Sequence, residues 1–290
     1  MRSTMTCLVG VVLIAPLDAS SDSRLRVVRT YTAYLSPVAG QEAPTPAKAI
    51  AAHDTECGTS IGPHELLKPE TPPDVAAAIA QSIDAANVPD VIETAFARAA
   101  AVLPGGRLTV CIYAAELSRG LPFMGGVGGL SLGNGRVKLF LHPTKEKFAR
   151  VPYTIAHEYH HEVLRTAVAV TTGVDVVVQE GKADHFAVGL YPHLRPPHTA
   201  ALSDQEFVTV WRTFLEYEHS RPPDFSDRFM IARTGTLPRW AGYRLAYEIV
   251  GHYLGASPGK PADWLTAPAG TIVNAFKTSP RVTALISPKR

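Results

Sequence analysis

Val151-Pro152-Tyr153-Thr154-Ile155-Ala156-His157-Glu158-Tyr159-His160-His161-Glu162-Val163-Leu164-Arg165-Thr166 is the stretch on which the reading of this chain turns. From Tyr153 to Thr166 it holds neither glycine nor proline, and Pro152 stands where the first turn of a helix tolerates it. Ile155, Ala156, Tyr159, Val163 and Leu164 supply apolar positions, which predicts a buried helix. Inside it, His157-Glu158-Tyr159-His160-His161 reads H-E-x-x-H. Residues four apart share a helical face, so His157 and His161 can offer two imidazoles to one metal ion. Glu158 stands beside them, where it can take a proton from a water at that ion.

A closed structural zinc site takes four protein ligands and is usually rich in cysteine. Cys7, Cys57 and Cys111 are widely separated and form no C-x-x-C, so the pattern points to an open site that needs one more ligand. The continuation H-E-x-x-H-x-x-G-x-x-H fails, because Leu164 and Ala167 hold its last two positions. The other completion is a glutamate on a following helix. After Thr171-Thr172-Gly173 the chain looks helical from about Asp175 to Leu190, and Glu180 lies there between apolar flanks. An unpaired carboxylate buried at that position is costly, and a metal partner removes the cost. Asp184, one turn further on, is the expected acceptor for the second ring N–H of a ligand histidine. His185 points about 100° away from Asp184 and is ranked below Glu180 as a ligand. His160 is read as packing or outer support.

Together, His157-Glu158-Tyr159-His160-His161 and Glu180-Gly181-Lys182-Ala183-Asp184 resemble the gluzincins. More narrowly, they resemble predicted zinc-dependent proteases that carry an uncharacterised domain with an H-E-Y-H-H helix and a downstream E-G-x-A helix. The later run Trp240-Ala241-Gly242-Tyr243-Arg244-Leu245-Ala246-Tyr247 resembles that family's G-Y-x-x-G-Y helix, with Ala246 in place of the second glycine. The resemblance covers roughly residues 108–254. It implies a zinc metallopeptidase with one zinc per chain, held by His157, His161 and Glu180, and Glu158 as general base. It also makes Tyr243 the candidate donor to the oxyanion, with His252, His193 and His219 as weaker candidates.

Around these motifs the chain reads as α+β. Leu108 to Tyr113 alternates and is rich in branched residues, as a strand is. Residues 125–132 and 137–141 are two more strands, joined by the hairpin signal Gly133-Asn134-Gly135. Helices are expected at about 74–85, 89–102, 240–254 and 271–277, and from the capping box Ser203-Asp204-Gln205-Glu206 to about Glu218. The expected fold is zincin-like: a small antiparallel sheet packed on the H-E-x-x-H helix, then a mainly helical C-terminal part. The glycine-rich strand within 126–141 reads as a flexible edge. In gluzincins such an edge receives the peptide substrate as an added strand, so a peptide or protein partner is expected there.

Three regions are expected: residues 1–20, residues 21–105 as an irregular and helical part, and residues 106–290 as the metallopeptidase domain. The run Met5 to Pro16 reads either as a short secretory signal peptide or as a buried strand, which leaves both cytoplasm and export open. Pro37 to Pro73 is proline-rich and irregular. Cys57 and Cys111 permit a disulfide without implying one. A net charge of +2 with no basic run offers nothing to nucleic acid, and no apolar stretch is long enough to span a bilayer. Two other functions remain compatible with the motifs: an amidase or esterase on a non-peptide substrate, and a zincin-like binding protein without turnover. The intact Glu158 argues against the second.

Overall fold

The computed structural model describes residues 24–35, 45, 48, 51–58, 66–117, 121–233 and 235–286. The run from Met5 to Pro16 and most of the proline-rich segment lie outside them. Four strands form the sheet: β1 (Leu25–Val28), β2 (Leu108–Ala114), β3 (Val127–Gly133) and β4 (Arg136–Leu141). Their order is β1-β2-β4-β3. The expectation of an antiparallel sheet is corrected. β1 with β2 and β2 with β4 run parallel, with Val110 opposite Val137, and only β3 with β4 is antiparallel. A hairpin signal reports local pairing, whereas the parallel pairs are closed by long excursions of the chain that no local pattern reveals.

β2 is buried on both faces. Val110 and Ile112 point into the larger core, while Cys111 and Tyr113 point to a smaller cluster with Cys57 and Phe140. The β3–β4 turn needs left-handed backbone at Gly133, Asn134 and Gly135, with φ of 80°, 55° and 71°. Glycine and asparagine are the residues that adopt it at least cost.

The helices follow the expected order. The chain forms α1 (Asp54–Cys57), α2 (Pro73–Ala85) and α3 (Val88–Val102) before β2. After β4 come α4 (Val151–Arg165), which is the H-E-x-x-H helix, and α5 (Gly173–Leu190), which carries Glu180. The start of α5 is two residues earlier than expected, because Thr172 and Asp175 form a reciprocal capping box. Then come α6 (Asp204–Glu216), α7 (Ala241–Ala256), α8 (Pro261–Leu265), α9 (Ala269–Lys277) and α10 (Pro280–Ile286). α7 runs two residues past its expected end, through Gly255 to Ala256. Among the described residues, no helix is long and apolar enough to cross a membrane.

Two large cores result. One joins Tyr31, Ile79 and Phe96 to the sheet and to Tyr153 and Tyr159 of α4. The other is helical and gathers Val177, Trp211, Phe229, Leu245 and Phe276. Helix α5 contributes to both, with Val177 and Val178 in the second and Phe186 and Ala187 in the first. Lys182, also on α5, is buried and donates to the carbonyls of Leu265 and Ala267, 2.8 Å each, which ties α8 down; burial lowers its pKa to about 8.

Cys57 and Cys111 are joined in a disulfide with their Cα atoms 5.9 Å apart. The bridge fastens α1 to β2 across a sequence separation of 54 residues. Closing a loop of that length removes chain entropy from the unfolded state worth about 4 kcal/mol. Cys57→Ser with Cys111→Ser is therefore expected to lower the unfolding free energy by about that amount in urea titrations. An unchanged midpoint would show that the bridge adds nothing to stability.

Candidate metal centre

Helices α4 and α5 lie side by side at the seam between the two cores. His157 and His161, one turn apart on α4, face Glu180 on α5. The Nε2 atoms of the two histidines are 3.0 Å apart, and Glu180 Oε2 lies 3.2 Å from His157 Nε2 and 3.4 Å from His161 Nε2. A tetrahedral ion with bonds of about 2.0–2.1 Å would hold its ligand atoms about 3.3–3.4 Å apart, so the triangle has the dimensions of one face of such a site. These three residues are the cluster of potential ligand atoms found among the described residues.

The far side of each imidazole is also engaged. His157 Nδ1 lies 3.0 Å from Asp184 Oδ1, in a fully buried position. Tyr153 donates its hydroxyl to the same oxygen at 2.5 Å, and His198 Nε2 lies 3.3 Å from both carboxylate oxygens. The side-chain amide nitrogen of Gln179 lies 2.8 Å from His161 Nδ1, and its Oε1 has no partner. Asp184 thus stands where a carboxylate can hold the His157 ring with Nε2 toward Glu180 and His161.

The charge balance points the same way. Burial opposes ionisation of Asp184 and Glu180, yet the neighbouring imidazoles hold both carboxyls well below the usual range. Burial would also lower His157, but Asp184 and Glu180 together drive its pKa well up. Buried anions that outnumber their cations call for positive charge, and two imidazoles plus a carboxylate make a donor set that suits zinc.

Glu158 leaves the ligand face and turns toward β3. Burial raises its pKa, and His157 and His161 oppose the rise. The Ser131 backbone N–H bonds its carboxylate. The strand comes so close that a Cβ on Gly129 would sit 2.5 Å from Glu158 Oε1, so only glycine fits there. Four residues on, Glu162 accepts from the amides of Gly133 and Gly135, at 2.9 and 2.8 Å, and from the Ser131 hydroxyl. It clamps the hairpin to α4.

Tyr243 stands in the first turn of α7 and borders the centre. Its hydroxyl bonds Glu180, and burial, then Glu180, Asp184 and Glu158, raise its pKa far above that of an exposed tyrosine. It reaches the site because α7 crosses α5 at close range: a Cβ on Gly181 would lie 2.4 Å from the Ala246 carbonyl. A cleft opens here, walled by Val127 to Gly129 of β3, floored by His157 and Glu158, and closed opposite by Trp240 and Tyr243.

The other histidines fall elsewhere. His252 packs its ring against Phe276 in the helical core, and His193 and His219 are exposed; none lines the cleft. His198 lines it instead. His185 bonds the Tyr247 carbonyl at 2.8 Å and stacks on that ring. His160 is buried between Trp264 and Phe186, with both nitrogens unpartnered, and burial lowers its pKa well below the usual value. Tyr153, Gln179 and His198 were missed in the sequence. Tyr153 alone had a signal there, since it stands four residues before His157.

A sequence model of the family described as "Predicted Zn-dependent protease (DUF2268)" matches residues 88–274. No curated protein and no solved structure matches the chain.

Because Asp184 fixes the His157 ring and is itself held by Tyr153 and His198, Asp184→Ala is expected to weaken metal affinity by about 10–100-fold with the helices intact. Competitive chelator titration with circular dichroism reads both. Unchanged affinity would reduce Asp184 to a packing role.

Proposed function

The chain belongs to this family of predicted Zn-dependent proteases, and from that premise we propose that it is a zinc metallopeptidase of the gluzincin kind, with one zinc per chain. The observation that carries the reading is the triangle of His157, His161 and Glu180 with its outer carboxylate and amide in place. Zinc, when bound there, supplies a Lewis acid that acidifies a water toward neutrality and polarises the scissile carbonyl.

The chain's own residues do the rest. Glu158 takes the proton of the attacking water and passes it to the leaving amine. Burial makes its carboxylate a stronger base than an exposed glutamate. Tyr243 remains a protonated phenol and donates its hydroxyl to the oxyanion that develops in the transition state. Asp184 keeps the His157 ring fixed while charge changes around it.

The geometry of β3 supports a peptide as substrate. β3 is an edge strand, and the His142 N–H donates to the Gly126 carbonyl at 2.8 Å. In an antiparallel ladder alternate residues bond the partner strand. Even-numbered residues of β3 therefore face β4, and Val127 and Gly129 turn their N–H and C=O groups outward to the cleft. A peptide can add there as a further strand, with its scissile bond over Glu158. The Cys57–Cys111 disulfide suits an oxidising compartment.

Metal analysis of the purified protein with a peptide-library digest tests the reading. One zinc per chain and peptide cleavage are expected. Glu158→Gln should keep the zinc and lose turnover by about 10²–10⁴-fold, because glutamine has the shape but cannot accept the proton. Near-normal turnover in that variant would remove Glu158 from the chemistry.

Tyr243→Phe should lower kcat by about 10²–10³-fold with a smaller change in KM, since the hydroxyl acts in the transition state. Little volume is lost, so the melting temperature should hold. Normal kcat would assign Tyr243 to packing.

A further inference from the structure

Among the described residues that line the cleft, one carries a permanent positive charge. Apolar walls are provided by Leu121, Met124, Phe140, Ile231 and Trp240, the acid is Glu158, and the cation is Arg233. Arg233 follows the π-helical turn Ser226–Met230. Its Nη1 lies 3.1 Å from Asp227 Oδ1, and its backbone N–H donates to the Asp227 carbonyl at 2.9 Å. Residue 233 is thus fastened at two points to one aspartate. Between them Ala232 is held at φ 52°, left-handed backbone that an alanine adopts only at a cost.

The guanidinium is not used up by this pairing. Its Nε is buried and has no hydrogen-bond partner. Buried donors in native proteins almost always have partners, so one left without them beside a substrate cleft marks a place for a ligand. Asp227 is 59% exposed, and such a pair is worth little by itself. With Nη1 engaged, the Nε side is the edge left to meet a planar anion, and a carboxylate fits that edge through two parallel N–H···O bonds. Among the described residues that line the cleft no second arginine or lysine is present, and the one carboxylate there, Glu158, repels an anion placed beside it.

We infer that Arg233 determines specificity by binding a carboxylate of the peptide, so that the enzyme selects substrates with an acidic side chain or a free C-terminus near the scissile bond. This rests on the peptidase reading above. The two sources of carboxylate differ in what they imply: an acidic side chain leaves the enzyme free to cut within chains, whereas a terminal carboxylate confines it to chain ends.

The test reads binding as well as cleavage. Zinc-loaded full-length protein carrying Glu158→Gln is titrated calorimetrically with alanine-based hexapeptides blocked at both ends. Glutamate or glutamine is placed at each position in turn, and one further peptide has its C-terminus free. A glutamate at one position, or the free terminus, is expected to bind about tenfold or more tightly than its neutral counterpart. Preference at an internal position assigns the acidic side chain, and preference for the free terminus alone assigns the chain end.

Arg233→Gln in the same background should abolish the difference without altering zinc content. Arg233→Lys should retain only part of it, because a point charge cannot bridge a planar carboxylate. Equal affinity for charged and neutral peptides throughout, or a preference that survives Arg233→Gln, overturns the inference. The comparison of glutamate with glutamine peptides needs no change at Arg233, so it decides the matter even where the variants fold poorly. Cleavage of the whole peptide set, acidic, neutral and free-ended, by the unsubstituted protein is scored separately, and its complete absence would count against the peptidase reading and not against the role of Arg233.

Discussion

Asp184 is the residue on which the site depends. It is fully buried, and three side chains converge on its carboxylate: His157 from the ligand helix, Tyr153 one turn earlier on that helix, and His198 from the chain after α5. A buried carboxylate is tolerated only when its oxygens are satisfied. Here the contacts around the carboxylate are also the positioning device, because Asp184 Oδ1 stands 3.0 Å from His157 Nδ1. The same contact joins α5 to α4 and brings the Pro196-Pro197-His198 turn onto the cleft wall. Stability of the seam and orientation of the candidate ligand His157 therefore rest on one set of contacts.

Close backbone approach does the remaining positioning. Gly129 lets β3 come down on Glu158, and Gly181 lets α7 come down on α5. Gly106 lies against the Tyr159 ring and donates its N–H to the Tyr159 hydroxyl at 3.1 Å, which in turn donates to the Leu103 carbonyl at 2.7 Å. Each contact is one at which a Cβ would collide, so the sheet, the ligand helix and the Tyr243 helix stand nearer than side-chain packing alone would allow. The glycine in the run after Glu180 thus has a packing reason. Ala246, across from it, is itself wholly buried, which leaves room for a methyl group at that crossing and little more.

What could be read from the sequence was what is local. The two ligand helices and the hairpin are set by periodicity, caps and turn residues within a few positions, and so His157, His161 and Glu180 could be named before any contact was known. The parallel pairings of β1, β2 and β4 could not, because the segments that close them are long and their order is fixed by tertiary packing. His198 was invisible for a similar reason: it stands in a proline-rich turn with no helical spacing to Asp184. Gln179 was hidden by its neighbour, since next to Glu180 it looked like one more helix residue. The fallback donors chosen among the histidines failed because residue type says nothing of which lobe a side chain faces.

One turn of α4 divides its labour between two faces. His157 and His161 make a pair four residues apart that looks to α5, and Glu158 and Glu162 make a second pair, about 100° round, that looks to β3. The first pair is held by Asp184 and Gln179. The second reaches the strand at Ser131 and at the hairpin amides of Gly133 and Gly135. Arg165 extends this second face, donating to the Ser131 carbonyl at 3.2 Å. The register of the edge strand is consequently fixed to the same rigid helix that presents the proposed metal ligands. A peptide that pairs with Val127 and Gly129 is indexed against Glu158 without any loop in between, and a slip of the hairpin by one residue would cost the buried Glu162 carboxylate its amide donors. On the function proposed above, one short piece of helix would align the substrate strand with the metal.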